Sequence, residues 1–337
     1  MHADLIPLDR REAVARAFEA VFGRASPDEL TPLRGGLSTA LVCRAVVGGR
    51  PCLLRVEAAR DAFRDPARQY ACMEIAAAAA VAPPLLFADP AEGVAIMGFI
   101  AERPRDTYPG GGAAMAVELG GLLARLQATP VFPPLVDYLD GVDAVIANML
   151  ATGVLDPAAA RDHFAAYGEI RDAYPRLSSD ELVSSHNDPN PSNILYDGDR
   201  LWLVDWESAF AGDPHVDSAM VANWFGLAGE GEAALLAKVF GELDDTRRAR
   251  CWLMRQVCSV FHACMFLGLV AAARGPHARP ISDLASPGLD AVRAGLRTGE
   301  VQLSTTDGQL LFAKAALSSV LQNARSPTFA AAVRQLR

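Results

Sequence analysis

The segment Ser185-His186-Asn187-Asp188-Pro189-Asn190-Pro191-Ser192-Asn193-Ile194-Leu195 sets an Asn five residues after an Asp. Leu203-Val204-Asp205-Trp206-Glu207 then places a second Asp at the end of an apolar run. Phosphoryl transfer asks for few groups. One carboxylate must orient an attacking hydroxyl and accept its proton, and a further carboxylate with a neutral oxygen ligand must hold magnesium against the phosphates. The H-x-D-x-x-x-x-N spacing and the strand-end Asp together supply that set. A calcium loop is the competing reading, because Asp188, Asn190 and Ser192 stand at its first, third and fifth positions. Such a loop needs Gly at the sixth position and commonly Glu at the twelfth, where this chain has Asn193 and Asp199. Pro191 and Leu195 also remove Asn190 and Asn193 as glycosylation acceptors.

The elements that must position these residues change character along the chain. Residues 9 to 22 have amphipathic helical spacing, with Asp9 and Glu12 at capping-box positions and Gly23 as the stop. After Pro27 the period becomes two. Leu41 to Val47, the Gly48-Gly49 turn and Cys52 to Glu57 read as a hairpin. Residues 66 to 80 read as a helix broken at Pro83-Pro84, and Val94 to Ile100 as a further strand. The Pro- and Gly-rich stretch from Ala101 to Gly112 marks the boundary between an N-terminal lobe over 1–100 and a mainly helical lobe over 101–337. Leu119, Leu122, Leu123 and Leu126 then form an apolar stripe, and Asp156-Pro157 caps and opens a helix over 157–173. Between 182 and 206 short apolar pieces surround polar loops, with Asp197-Gly198-Asp199 as a tight turn, and helices resume near 214. The expected fold class is α+β, a small lobe with an antiparallel sheet followed by a larger helical one.

Composition narrows the partners. The 337 residues are 51% apolar and 21% charged, which excludes a disordered tail, a collagen-like repeat and a disulfide scaffold. A net charge of −9 repels phosphate backbones, so nucleic acid is not an expected partner. A phosphate-bearing ligand must instead be held by local cations, a metal or backbone N–H groups. The cysteines at 43, 52, 72, 251, 258 and 264 form no C-x-x-C pair and no zinc spacing, which suggests buried thiols in a reducing compartment. The start, MHADLIPLDRREAV, has no signal-like apolar region. The apolar run from Val257 to Ala273 contains His262 and reads as a buried core helix rather than a span. A cytoplasmic protein without a membrane partner is the expectation.

HNDPNPSNIL followed by LVDWESAFAGDPHVD resembles the aminoglycoside phosphotransferase and choline kinase family of small-molecule kinases. The H-N-D and D-W-E forms are most similar to its choline/ethanolamine kinase branch. The likeness is specific over 185–217 and looser over 33–127, in GGLSTALVCRAV, LLRV, VAPPLLFAD and IMGFI. It implies a two-lobed protein-kinase-like fold, with ATP and Mg²⁺ as cofactors. It also implies γ-phosphoryl transfer to a hydroxyl of a small, amine-bearing molecule such as choline, ethanolamine, an amino sugar or an aminoglycoside-like compound. By position the resemblance makes Asp188 the catalytic base and Asn193 and Asp205 the Mg²⁺ ligands. His186 would brace the loop, and Asp213 and Asp217 would anchor it. Glu207 reads as an acid for a second metal or a substrate ammonium, or as a plain surface acid.

The cation for the α- and β-phosphates is unusual. The only lysines, Lys238 and Lys314, lie in the helical part, and Arg55 occupies the place that the resemblance gives to a strand lysine. Strand alternation sets Arg55 on the face of Leu53 and Glu57, opposite Cys52, Leu54 and Val56. An exposed arginine paired with Glu57 is the plainer reading. On the following helix the candidates for an acidic partner are Gln69, which is neutral, and Glu74. Gly35 and Gly36 fit a turn whose N–H groups approach phosphate, with Ser38 and Thr39 as added donors, and fit an ordinary hairpin turn equally well. Ile96 to Ile100 would form the adenine slot, with Met97 and Phe99 as apolar walls. Trp206, Trp224, Trp252, Phe261 and Phe266 would line a pocket for a cationic acceptor, but the apolar helix around Trp252, Phe261 and Phe266 favours core packing. The missing lysine leaves a second class open, a nucleotide-binding pseudokinase used as a scaffold. A protein kinase fits less well, because no A-P-E-like segment follows and 205–217 is too short for an activation loop.

Overall fold

The computed structural model describes residues 5–33, 40–58 and 60–337, so the turn with Gly35, Gly36, Ser38 and Thr39 lies outside the described residues. The chain divides into two compact units. The first comprises Met1–Met115, Gly121–Leu135 and Val183–Ala211, and the second Ala116–Gly120, Val136–Leu182 and Gly212–Arg337. The segment with the Asp188 motif therefore packs as part of the unit that holds the N-terminal sheet.

The first unit is built on five antiparallel strands in the order β1-β2-β3-β5-β4: β1 Glu29–Pro32, β2 Leu41–Val47, β3 Arg50–Val56, β4 Leu85–Asp89 and β5 Val94–Gly98. The expected hairpin forms because Gly48 and Gly49 take φ of 56° and 77°, the left-handed pair that matches strand twist in a two-residue turn. Alternation then sends Cys43, Ala45 and Val47 of β2, and Cys52, Leu54 and Val56 of β3, into one core. Helix α1 (Arg11–Phe22) covers that face with Val14, Ala17 and Phe18, and ends as expected at Gly23, φ 67°. Its start differs from the sequence reading. Asp9 falls in a short 3-10 turn, Leu8–Arg10, and Arg10 takes the N-cap position without a side-chain bond, so no capping box forms.

Helix α2 (Pro66–Ala78) begins where Asp65 accepts a hydrogen bond from the N–H of Ala67 at 3.0 Å. It stops short of residue 80 because Ala80 adopts a left-handed φ of 55°. β5 likewise ends at Gly98, short of Ile100, and the Gly98 N–H donates to the Pro84 carbonyl at 2.8 Å as the last rung of its pairing with β4. Helix α3 (Gly111–Gln127) buries its predicted stripe, Leu119, Leu122, Leu123 and Leu126.

The second unit is helical: α4 Tyr138–Ala151, α5 Pro157–Ala173, α6 Val216–Phe225, α7 Gly229–Phe240, α8 Asp245–Arg274, α9 Leu289–Thr298, α10 Thr306–Ala324 and α11 Pro327–Leu336. α5 matches the expected span, with Asp156 capping the Ala158 N–H at 2.8 Å. The spine is α8, which packs against α4, α6, α10 and α11. Among the described residues it is the one helix long and apolar enough to cross a bilayer by length and composition, and 56% of its most apolar window is buried inside the protein. Trp252 lies edge-on to Phe329 at 6.2 Å, and Phe266 edge-on to Phe312 at 5.3 Å, so these rings serve the core. Asp213 accepts from the Tyr174 hydroxyl at 2.8 Å and from the His215 N–H at 2.8 Å within this unit.

All six cysteines are buried and unpaired, as thiols rather than disulfides. Burial pushes Cys72, Cys251, Cys258 and Cys264 up to about 12, which keeps them protonated. Burial acts oppositely on His262. Its ring bonds to the Cys258 backbone, its Nε2 finds no partner among the described residues, and its pKa falls from 6.5 to about 4. The unfolded chain takes up this proton below about pH 6.5, whereas the folded chain refuses it until about pH 4. Folding stability from this group is thus complete above 6.5 and drains away as pH falls toward 4, by about 3 kcal/mol. Urea unfolding across this window should show a loss in the native protein that His262→Gln reduces, and equal slopes in both proteins would refute the assignment.

Candidate active site

Strand β6 (Val183–Ser185) leads into the polar segment, which is organised by a two-stranded hairpin, β7 (Ile194–Tyr196) and β8 (Leu201–Leu203), in the register Ile194↔Leu203. Its turn is tied by Asp197, which accepts from the backbone N–H of Asp199 at 2.8 Å and of Arg200 at 2.9 Å, and from Trp202 Nε1 at 2.7 Å. At the open end the Val204 N–H donates to the Asn193 carbonyl at 2.9 Å. The pairing therefore delivers Asn193 and Asp205 to the same end of one hairpin. Asn193 closes a 3-10 turn, Pro191–Asn193, that Asn190 caps by accepting from the Ser192 N–H at 2.8 Å.

Asp188 lies within this loop. Its Oδ2 accepts from Asn190 Nδ2 at 2.9 Å and from Asn193 Nδ2 at 3.0 Å, and Asn193 Nδ2 also reaches the Asp188 carbonyl at 3.0 Å. Asn190 and Ser192 are thus spent on holding the loop, which is not the converging arrangement of a calcium loop. His186 braces it from behind. The Asp188 N–H donates to His186 Nδ1 at 3.3 Å, so that nitrogen is an acceptor, and Nε2 must carry the proton toward the Val204 carbonyl at 2.9 Å. Trp206 stacks obliquely on His186 at 4.6 Å and meets Phe132 edge-on at 6.0 Å, which places it in the core of this unit. Asn187 and Asp205 both take left-handed backbone angles, φ 60° and 64°. The Asn187 side chain offsets its strain through bonds to Ser185 and to the carbonyl of Ser208.

Arg55 reaches the same end of the hairpin from β3. Its Nε donates to Glu57 at 2.6 Å, Nη1 to Asp205 at 3.1 Å and Nη2 to Glu207 at 3.2 Å. The side chain is only 8% exposed, so the plain reading of a solvent-facing strand arginine does not hold. Burial alone would lower its pKa, but the carboxylates of Asp205, Glu57 and Glu207 outweigh that and raise it. The helix acid expected as a partner is replaced. Glu74 faces solvent, and Gln69 is buried with its amide nitrogen unpartnered among the described residues.

The face around Arg55 is defined by register. Arg55 pairs with Ala95 and Leu53 with Met97, so Met97 points to the side of Arg55, away from the core. Arg44, paired with Leu53, is on that side too, and its guanidinium lies over the Phe99 ring at 5.4 Å. Met97 and Phe99 are each half-buried. Sequence reasoning missed Arg44 and treated Glu57 only as a surface partner. Cross-strand pairing and burial, neither visible in a linear pattern, are what bring them out.

The field of this cluster acts on Asp188. Burial raises its pKa, the bonds from Asn190 and Asn193 oppose the rise, and the charges on Asp205 and Glu207 add to it, leaving it at about 7. Among the described residues no three His, Cys, Asp or Glu side chains converge as a metal cage. The donors on offer are the Asp205 carboxylate and the Asn193 amide oxygen, since Asn193 donates with its nitrogen. Hard oxygen donors in small number fit Mg²⁺, which commonly keeps waters and substrate phosphates as its other ligands.

A five-stranded antiparallel sheet with a buried strand arginine, joined to an Asp-Asn-Asp hairpin, belongs to the class of kinase-like phosphotransferases. The sequence model of the phosphotransferase enzyme family matches residues 29–252, and the chain belongs to that family. It is a small-molecule kinase by this membership. Solved structures agree on the fold. A choline/ethanolamine kinase family protein from Mesorhizobium loti is 24% identical with a TM-score of 0.66, covering 97% of this chain and 99% of that one. The choline kinase LicA from Streptococcus pneumoniae is 11% identical with a TM-score of 0.59, covering 91% and 98%. Spectinomycin phosphotransferase APH(9)-Ia, in complex with ADP and spectinomycin, is 11% identical with a TM-score of 0.55, covering 90% and 97%. No curated protein matches the chain closely enough in sequence to count as a relative.

A carboxyl raised from 3.8 to about 7 opposes folding. The unfolded chain releases this proton near pH 4, whereas the folded chain holds it until about 7, so stability is lost as pH climbs between these values and is level above. In metal-free buffer at pH 8, Asp188→Asn should therefore stabilise the protein by roughly 2–4 kcal/mol, a gain that fades toward pH 4. Thermal melts in chelator with no gain at pH 8 would count against the electrostatics described.

Proposed function

We propose that the protein transfers the γ-phosphoryl group of ATP, with Mg²⁺, to a hydroxyl of a small, amine-bearing molecule. Choline, ethanolamine, an amino sugar or an aminoglycoside-like compound are the acceptors in view. The observation that carries this reading is the gathering of Asp188, Asn193, Asp205 and Arg55 at one end of the β7–β8 hairpin. Residues 1–100 act as the nucleotide-binding lobe and 101–337 as the catalytic and acceptor-binding lobe. The protein works in the cytoplasm.

Asp188 orients the acceptor hydroxyl and takes its proton as the oxygen bonds to the γ-phosphorus and the bond to the β-phosphate oxygen breaks, releasing ADP. Asn193 and Asp205 would hold Mg²⁺, which when bound would neutralise charge on the phosphates. Arg55 meets the α- and β-phosphates, while Met97 and Phe99 wall the adenine. Gly35, Gly36 and Ser38 offer N–H and hydroxyl donors to phosphate. Acids near the acceptor suit a cationic substrate better than an anionic one.

Mg-dependent ATP consumption, measured over a panel of amino alcohols and amino sugars, tests the reading. Asp188→Asn should abolish phosphorylation and leave Mg-ATP affinity nearly intact, because the base touches the acceptor and not the nucleotide. Near-native turnover in that variant would overturn the role. Asp205→Ala should weaken metal-dependent nucleotide binding as well, and unchanged binding would remove Asp205 from the metal site. Intact nucleotide binding with no turnover on any acceptor would favour the pseudokinase scaffold.

A further inference from the structure

The three carboxylates around Arg55 are not equivalent. Asp205 and Glu207 belong to the turn after β8, where, on the nucleotide reading above, a divalent cation would compete with Arg55 for the carboxylates. Glu57 belongs to the strand side, two residues beyond Arg55 on the same face. Its N–H donates to the Gly93 carbonyl at 2.9 Å, which carries the β3–β5 pairing one residue past the end of β3. Gly93 has a φ of 67°, and a Cβ there would stand 3.1 Å from Glu57 Cβ, so glycine is what admits this close approach. The Glu57 side chain is 5% exposed, against 28% for Asp205 and 29% for Glu207.

The bonding pattern separates them further. Glu57 takes Nε at 2.6 Å, the shortest of the three contacts, while the turn takes the terminal nitrogens Nη1 and Nη2. A guanidinium is planar, so fixing Nε limits where the two terminal nitrogens can point. Held only through its ends, Arg55 would follow Asp205 and Glu207 when those carboxylates turn to a cation. On the next helix Glu74 is exposed and Gln69 is neutral, so neither supplies a buried charged anchor.

We propose that Glu57 is a positioning residue, which anchors Arg55 through Nε so that Nη1 and Nη2 stay presented to nucleotide phosphates. The proposal rests on the nucleotide-binding reading above. Glu57 takes over, from the same strand, the task that the sequence reading assigned to an acid on α2. It does so with a partner that bound metal does not draw away.

A double-mutant cycle on MgADP affinity, followed by titration calorimetry, tests it. Arg55→Met and Glu57→Leu should each weaken binding roughly tenfold, and in the Arg55→Met background Glu57→Leu should cost less than threefold. The double variant removes one positive and one negative group together, so it leaves the net charge of the cluster as it is in the native protein. Should Glu57→Leu not fold alone, Glu57→Asp, which withdraws the carboxylate by one methylene, serves in the same cycle. Equal losses in both backgrounds, or no loss from the Glu57 variant in the native background, would overturn the anchoring role while leaving the nucleotide reading intact. Unchanged affinity in Arg55→Met would instead overturn that reading itself.

Discussion

One guanidinium set against three carboxylates is the constraint on which the candidate site turns. Glu57, Asp205 and Glu207 all contact Arg55, so among the described residues three carboxylates share one guanidinium, with Arg55 and Glu57 buried and the other two partly exposed. Unpaired, each of these carboxylates would cost several kcal/mol to desolvate. The arginine makes the arrangement tenable because its rigid fork offers Nε, Nη1 and Nη2 in separate directions at once, whereas a lysine presents a single point charge. Its raised pKa expresses the same balance, with the carboxylates outweighing burial. After burial, the charges on Asp205 and Glu207 are part of what lifts Asp188 toward neutrality.

The loop around Asp188 shows how strain and bonding are traded. Asn187 and Asp205 sit in left-handed backbone regions that ordinary residues avoid; the first adjoins Asp188 and the second is itself proposed as a metal ligand. Ser185, Ser208, His186 and Val204 tie the loop back to the strands beneath it. The β7–β8 register then decides that Asn193 and Asp205, twelve residues apart in sequence, share one end. In the helical unit Trp224 stacks on Phe312 at 5.3 Å, and the two rings line a small cavity with His262 and Arg293.

Much of this was legible beforehand. The β2–β3 hairpin, the α5 cap at Asp156, the α3 leucine stripe and the β7–β8 pieces all follow from local period and turn chemistry, which act over a few residues. The Asp188–Asn193–Asp205 spacing was equally visible. The α1 start was not, because a 3-10 turn before Arg11 displaces Asp9 from the cap. The partner of Arg55 was also misplaced. Spacing along α2 pointed to Gln69 or Glu74, but helix rotation leaves one buried without charge and the other in solvent.

Residue order by itself determined which side chains face together along each strand or helix, since those periods are set by backbone geometry. It also settled the family, through a motif compressed into about thirty residues. Tertiary structure alone decided that Arg55 is buried, that Glu57 holds it, and that Asp205 and Glu207 complete the cluster across 150 and 152 residues of chain. The physical reason is that charge compensation depends on distance in space and on local exclusion of water, and neither quantity is encoded by spacing along the chain.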